Sequence, residues 1–420
     1  MRPSALLLSL ALVTALAPAG ARADGPFALK DGDRVVFYGD SITDQRLYTT
    51  FAETFVVTRF PKLRVDFVHS GWGGDRVSGG GGGPIDRRLD RDVIAYKPTV
   101  VTVMLGMNDA SYRAFDAPIF DAYSKGYRHL VEKLRRDLPG VRLTLIRPSP
   151  YDDVTRPPGF EGGYNAVLVR YGDFVRDLAA EAGATVADLN TSVVEATSKA
   201  NSSDPELAKK LNPDRVHPAP AGQLLMAAAL LKAWNAPALV SSVTIDARAT
   251  GPAQADHATI QAFEAKDGAL SWNQLDEALP FPINLDDAAT RLAVQSSSVM
   301  DDLDRQALRV ANLGAAQYTL KVDGTEVGTF SKEALEKGVN LAAYATPMLA
   351  QAKQVHALTI QHNKFHAIRW RDVQVPFESE TAAEVSRAIE GLDAIEARLV
   401  ARQREAAVPR PHRFELAPKG

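Results

Sequence analysis

The chain has 420 residues, of which 45% are apolar and 24% charged, with a formal net charge of −3 and no cysteine. These proportions exclude a disordered or membrane-embedded chain, and the absence of a basic run removes the electrostatic footprint of a nucleic-acid binder. Without cysteine there is no disulfide, thiol nucleophile or thiolate metal site, and the length points to two units that each bury a core.

At the N-terminus, Met1-Arg2 is followed by an apolar stretch over 5–17, then Pro18 and Ala21-Arg22-Ala23. A membrane-spanning helix needs about 20 apolar residues, so the pattern reads as a secretory signal peptide over 1–23, cleaved near Ala23. The expected location is periplasmic or secreted, with no stable membrane insertion after cleavage.

Residues 34–38, 65–68, 99–105, 143–146 and 185–189 are short β-prone runs. Most are apolar almost throughout, as strands of a parallel sheet buried on both faces are. Between and after them, 48–59, 117–138, 164–182 and 221–234 carry apolar residues at helical spacing. Alternation of strand and helix predicts a doubly wound α/β sandwich ending near Pro237.

Beyond that point 239–245, 309–313 and 318–330 read as strands, the last interrupted by a hairpin turn at Val322-Asp323-Gly324-Thr325. Helical patterns follow over 347–373 and 380–407. The predicted division is a β-rich accessory domain over 238–345 and a helical segment and tail over 346–420. The glycine run at 79–83, followed by Pro84, is expected to be a loop.

Four strand-end motifs carry chemistry. Gly39-Asp40-Ser41 lies between the first strand and a helix, where a hydroxyl reaches the carboxyl edge of the sheet. Asp214-Arg215-Val216-His217 supplies an imidazole base and an acid to hold it in one tautomer. Gly74 follows the second strand and Asn108 the third, and each offers an N–H to a developing oxyanion. Taken singly, each motif is as readily a turn or a helix cap. Their occurrence in chain order is what counts, because the carboxyl ends of parallel strands converge on one crevice.

In order and approximate spacing, Gly39-Asp40-Ser41, Gly74, Gly106-Met107-Asn108-Asp109 and Asp214-Arg215-Val216-His217 resemble the four blocks of the SGNH (GDSL-type) hydrolases over residues 33–235. The resemblance implies a flavodoxin-like three-layer αβα sandwich over 24–237 and ester hydrolysis without cofactor or metal. Ser41 would be nucleophile and first oxyanion donor, Gly74 and Asn108 the other donors, His217 the base and Asp214 its orienting partner. One departure is His69-Ser70-Gly71, where the family often has Asn two residues before its first Gly; His69 is expected to be structural.

His362 and His366 lie four apart in one predicted helix, but no acidic residue or third histidine completes a metal-ligand set by spacing, so packing is expected. Trp72, Arg76, Tyr112, Tyr151, Asp152 and the glycine run should rim the crevice. An aromatic and polar rim suits a small-molecule or polysaccharide ester, acetyl esters of carbohydrate above all. A longer-chain acyl esterase, such as a lysophospholipase or thioesterase, and a non-catalytic glycan-binding protein are the alternatives.

Overall fold

The computed structural model describes residues 25–248, 254–379 and 383–419, so the leader predicted at 1–23 lies outside the described residues. The first unit is built on strands β1 (Arg34–Gly39), β2 (Asp66–Gly71), β3 (Val100–Met104), β4 (Arg142–Ile146) and β5 (Thr185–Ala187). They pair in the order β2-β1-β3-β4-β5, all parallel. Val35, Val36 and Phe37 of β1 and Val101 and Val103 of β3 are fully buried. Such strands are covered on both faces, which is why they read as continuous apolar runs.

The helices that matter for the site are α1 (Ser41–Asp44), α2 (Leu47–Arg59), α3 (Ile85–Asp92), α4 (Ala117–Asp137), α5 (Gly163–Glu181) and α6 (Pro220–Ala233). α2 packs against α6, and α4 against α3 and α5, giving the αβα sandwich expected from the alternation of elements. Asp40 caps α1 by accepting from Ile42 N–H at 3.0 Å, and Asp116 caps α4 in the same way.

The second unit begins with β6 (Leu239–Asp246) and β7 (Gln254–Asp256). β8 (Ala258–Lys266), β9 (Ala269–Asp276), β10 (Arg305–Ala311), β11 (Gln317–Val322), β12 (Thr325–Ser331) and β13 (Val339–Asn340) follow. The last strand is β14 (His412–Pro418). An antiparallel sheet in the order β8-β9-β14-β11-β12 accompanies a mixed sheet, β13-β10-β6-β7. Trp272 stacks on Phe414 with ring centroids 5.2 Å apart in a core shared with Val243, Val310 and Leu320.

The C-terminal region differs from its reading as helices and tail. Helices α7 (Pro347–Ala367) and α8 (Ala383–Ala406) are present, but residues 412–418 form β14 at the centre of the antiparallel sheet. In His412-Arg-Phe-Glu-Leu-Ala-Pro418 the alternate residues Phe414 and Leu416 are fully buried, the period-two signature of a strand with one face on a core. The β8–β9 hairpin also went unread. Asp267 and Gly268 at its turn have φ of 51° and 80°, and an Asp-Gly pair between alternating residues is the turn signal for such a hairpin.

Candidate active site

Ser41, Gly74 and Asn108 follow β1, β2 and β3 at the carboxyl edge of the parallel sheet, whereas Asp214 and His217, expected at a strand end, follow a helical stretch over 191–211 instead. Ser41 opens α1 directly after β1, and its Oγ lies 2.8 Å from His217 Nε2. On the other side of the ring, His217 Nδ1 lies 2.7 Å from Asp214 Oδ2. A carboxylate accepts only, so Nδ1 carries the ring proton and Nε2 is left to accept from the Ser41 hydroxyl.

The three-residue spacing of Asp214 and His217 works because of the turn between them. Arg215 has a left-handed φ of 74°, and Asn212 fixes it by donating from Nδ2 to the Arg215 carbonyl at 2.8 Å. Asp214 Oδ1 then accepts from the N–H of Val216 at 2.9 Å and of His217 at 2.7 Å. Partial burial acts to raise the Asp214 pKa, but the hydrogen bonds from His217 and Val216 outweigh it and hold the carboxyl below its usual range. The charged form of the Asp214 carboxyl is thereby favoured.

Asn108 meets the turn that carries Gly74. Residues 72–75 form a tight turn, closed by Asp75 N–H donating to the Trp72 carbonyl at 3.1 Å, with Gly74 at φ 79°. That corner of a turn favours glycine, and nothing lies within 4 Å of where a Gly74 side chain would start. Asn108 Nδ2 donates to the Asp75 carbonyl at 3.0 Å, while its Oδ1 accepts from Tyr112 Oη at 3.1 Å. One Nδ2 hydrogen is thus committed to the Gly74 turn and the second is free to donate elsewhere.

Asp40 and Asp109 lie buried behind these loops. Burial pushes the Asp40 carboxyl up to about 7, with the Asp109 and Asp75 charges adding to the shift. Asp109 is likewise pushed up to about 7 by burial, against the hydrogen bond it accepts from Val77 N–H. A protonated carboxyl at either position adds no negative charge beside a site where an oxyanion would form.

Of the expected rim residues, Tyr112 is exposed and stacks on Tyr164 at 5.0 Å, with Tyr151 packed edge-on against Tyr164 at 5.2 Å. Tyr164 was not anticipated; it is buried, and its hydroxyl donates to the Met107 carbonyl beside Asn108 at 2.5 Å. Asp152 is not a rim residue. It is buried and accepts from Val154 N–H, Thr155 N–H and Arg156, which organises the loop beneath.

The glycine run is a tight hairpin rather than an open loop, with Gly79–Gly80 paired to Gly83–Pro84. A side chain at Gly82 would start 2.7 Å from the Trp72 ring, so glycine is what lets this hairpin close over the indole.

The remaining histidines sit apart from the crevice. His69 is buried with Nδ1 2.8 Å from Thr49 Oγ1 and Nε2 2.9 Å from Glu53 Oε2. His362 lies between Glu53, 3.3 Å away, and Glu396, 3.0 Å away, and His366 also meets Glu396 at 3.1 Å. These acids are remote in sequence from the histidines, which is why spacing showed none.

A model of the GDSL-like lipase/acylhydrolase family matches residues 37–225, which include every residue of this crevice. Those residues form a GDSL-like lipase/acylhydrolase domain. The chain is thus an ester-bond hydrolase that carries such a domain. It is 27% identical over 228 residues to an acetylxylan esterase of Geobacillus stearothermophilus, covering 48% of this chain and 93% of the relative. The solved structure of a gut microbial diltiazem-metabolizing enzyme is 25% identical and covers 95% of this chain and 100% of its own, with a TM-score of 0.81. The likeness to that enzyme runs through the GDSL-like domain and the C-terminal unit together.

Proposed function

We propose that the chain is an exported serine esterase that removes short acyl groups, acetyl above all, from carbohydrate, with Ser41 as nucleophile, His217 as base and Asp214 as its orienting partner. The observation that carries the reading is the unbroken hydrogen-bonded line from Ser41 Oγ through the imidazole to Asp214. As Oγ bonds to the ester carbonyl carbon, its proton passes to His217 Nε2. The imidazolium then returns that proton to the departing alcohol as the C–O bond breaks, and water repeats the sequence on the acyl-enzyme. Gly74 N–H, the free Asn108 Nδ2 hydrogen and the Ser41 N–H serve as donors to the oxyanion.

The substrate class rests on the openness of the crevice and on the likeness to an acetylxylan esterase. The side chains of His217 and Asp214 are 33% and 55% exposed, so the alcohol part of a large polar ester can extend into solvent while its small acyl group meets Ser41. Tyr112, which is exposed, offers a ring face of the kind that packs on sugars. Export rests on the leader pattern.

The test is a panel of p-nitrophenyl acetate, butyrate and octanoate beside acetylated xylan, with acetate release measured directly. The reading predicts that acetate esters turn over fastest and that xylan is deacetylated. Preference for octanoate would replace it with the longer-chain esterase.

A further inference from the structure

We propose that Arg371, carried by the C-terminal helices, is a positioning residue for the Gly74 turn; this rests on the esterase reading above. Between α7 and α8 the chain widens into a π-helical turn, Ile368–Gln374, a feature that recurs at functional sites. Trp370 anchors it. The indole is buried against Trp72 at 5.6 Å, and its N–H donates to Asp92 Oδ1 at 2.6 Å.

Arg371 then reaches the joint between the nucleophile helix and the donor turn. Its guanidinium lies 3.6 Å from the centre of the Trp72 ring and donates to the Gly71 carbonyl at 3.2 Å. It also lies 3.6 Å from Asp44, in the same helical turn as Ser41. The Gly73-Gly74 corner has no side chains of its own to hold its peptide planes, so the direction of the Gly74 N–H depends on what grips the two ends of the turn. At one end Asp75 is held by Arg88 at 2.8 Å and by Asn108. At the other end Trp72 N–H donates to the Gly39 carbonyl at 2.9 Å, and its ring is clamped between the glycine hairpin and Arg371. A planar guanidinium can cover an aromatic face and donate at its edge at once, which an ammonium cannot.

The experiment compares parent, Arg371→Ala, Arg371→Lys and Ser41→Ala as full-length proteins on p-nitrophenyl acetate, with melting temperatures from the same preparations. Displacing a donor by a fraction of an ångström to one ångström costs up to about 10²-fold, so Arg371→Ala should lose roughly 10- to 100-fold in kcat with KM within about twofold. Millimolar guanidinium should restore part of that rate in the alanine variant and leave the parent unchanged. Should Arg371→Ala fail to fold, Arg371→Lys decides, because it keeps the stem and charge and should still lose kcat at unchanged KM. Parent-like kcat in the folded alanine or lysine variant, or a loss confined to melting temperature and KM, overturns the proposal. An inactive Ser41→Ala beside a fully active Arg371→Ala defeats this inference alone. Parent-like turnover by Ser41→Ala defeats the esterase reading and this inference with it.

Discussion

Asn108 joins two loops that come from different strands, holding the Asp75 carbonyl with one amide hydrogen and receiving Tyr112 on its oxygen. In the proposed mechanism charge develops on the substrate oxygen only as Ser41 attacks, so a donor there would serve the transition state more than the bound ester. Asn108→Ala should lower kcat by about 10²- to 10³-fold with KM little changed. Steady-state kinetics and a melting curve on one preparation check this; normal kcat with a lowered melting temperature would make Asn108 a loop tie only. Ser41, Gly74 and Asn108 were legible as neighbours because each follows a strand and a parallel sheet brings its strand ends together; Asp214 and His217 follow helical turns over 191–211 and showed themselves only by their three-residue spacing. Trp370 and Arg371 were not legible, since they lie about 300 positions from the turn they touch and belong to a region whose pattern says only helix.

At the scale of elements, the informative contact is α2 against α7. Thr50, Glu53 and Thr54 are polar residues of α2, yet all are buried. Their partners stand along α7: Asn363 donates to Thr50 at 2.8 Å, His356 meets Thr54 at 2.9 Å and His362 meets Glu53. A sequence shows that such a face is polar but not whether water or another helix satisfies it, which is why this interface was not foreseen.

His362 is the centre of that interface, faced by Glu53 from α2, Glu396 from α8 and, through those acids, His69 and His366. Burial acts to lower its pKa, but the two carboxylates prevail and raise it from 6.5 to about 10. A group raised on folding contributes fully below its unfolded value and loses the contribution as pH climbs through the folded one. The melting-temperature gap between parent and His362→Gln should therefore be widest below about pH 6.5 and narrow steadily toward pH 10. A gap that widened with alkali would show that the imidazole is neutral in the fold.

Over the whole molecule, the chain leaves the second unit after β13, lays α7 and α8 against the hydrolase domain, and returns to insert β14 between β9 and β11. The helices are thereby pinned at both ends, which gives the Trp370–Arg371 turn a fixed station beside the crevice. Phe414 and Leu416 carry the return, both fully buried. Phe414→Ala should destabilise the protein by about 3–5 kcal/mol, read by denaturant unfolding. A cost below about 1 kcal/mol would mean that β14 is peripheral to the sheet. The doubly wound half was legible from its alternating runs, whereas the β14 insertion was not, because a seven-residue strand after a long helix looks like a tail until its partners are known.

The account stands on Ser41 as the nucleophile, and the turnover of p-nitrophenyl acetate by folded Ser41→Ala tests that most directly. Loss of one member of such a triad removes on the order of 10⁴-fold or more of the rate. The prediction is a fall of that size with an unchanged melting temperature, since Ser41 is only partly buried and its hydroxyl is bonded to His217 at the open crevice. Turnover near the parent rate in the folded variant would contradict the account.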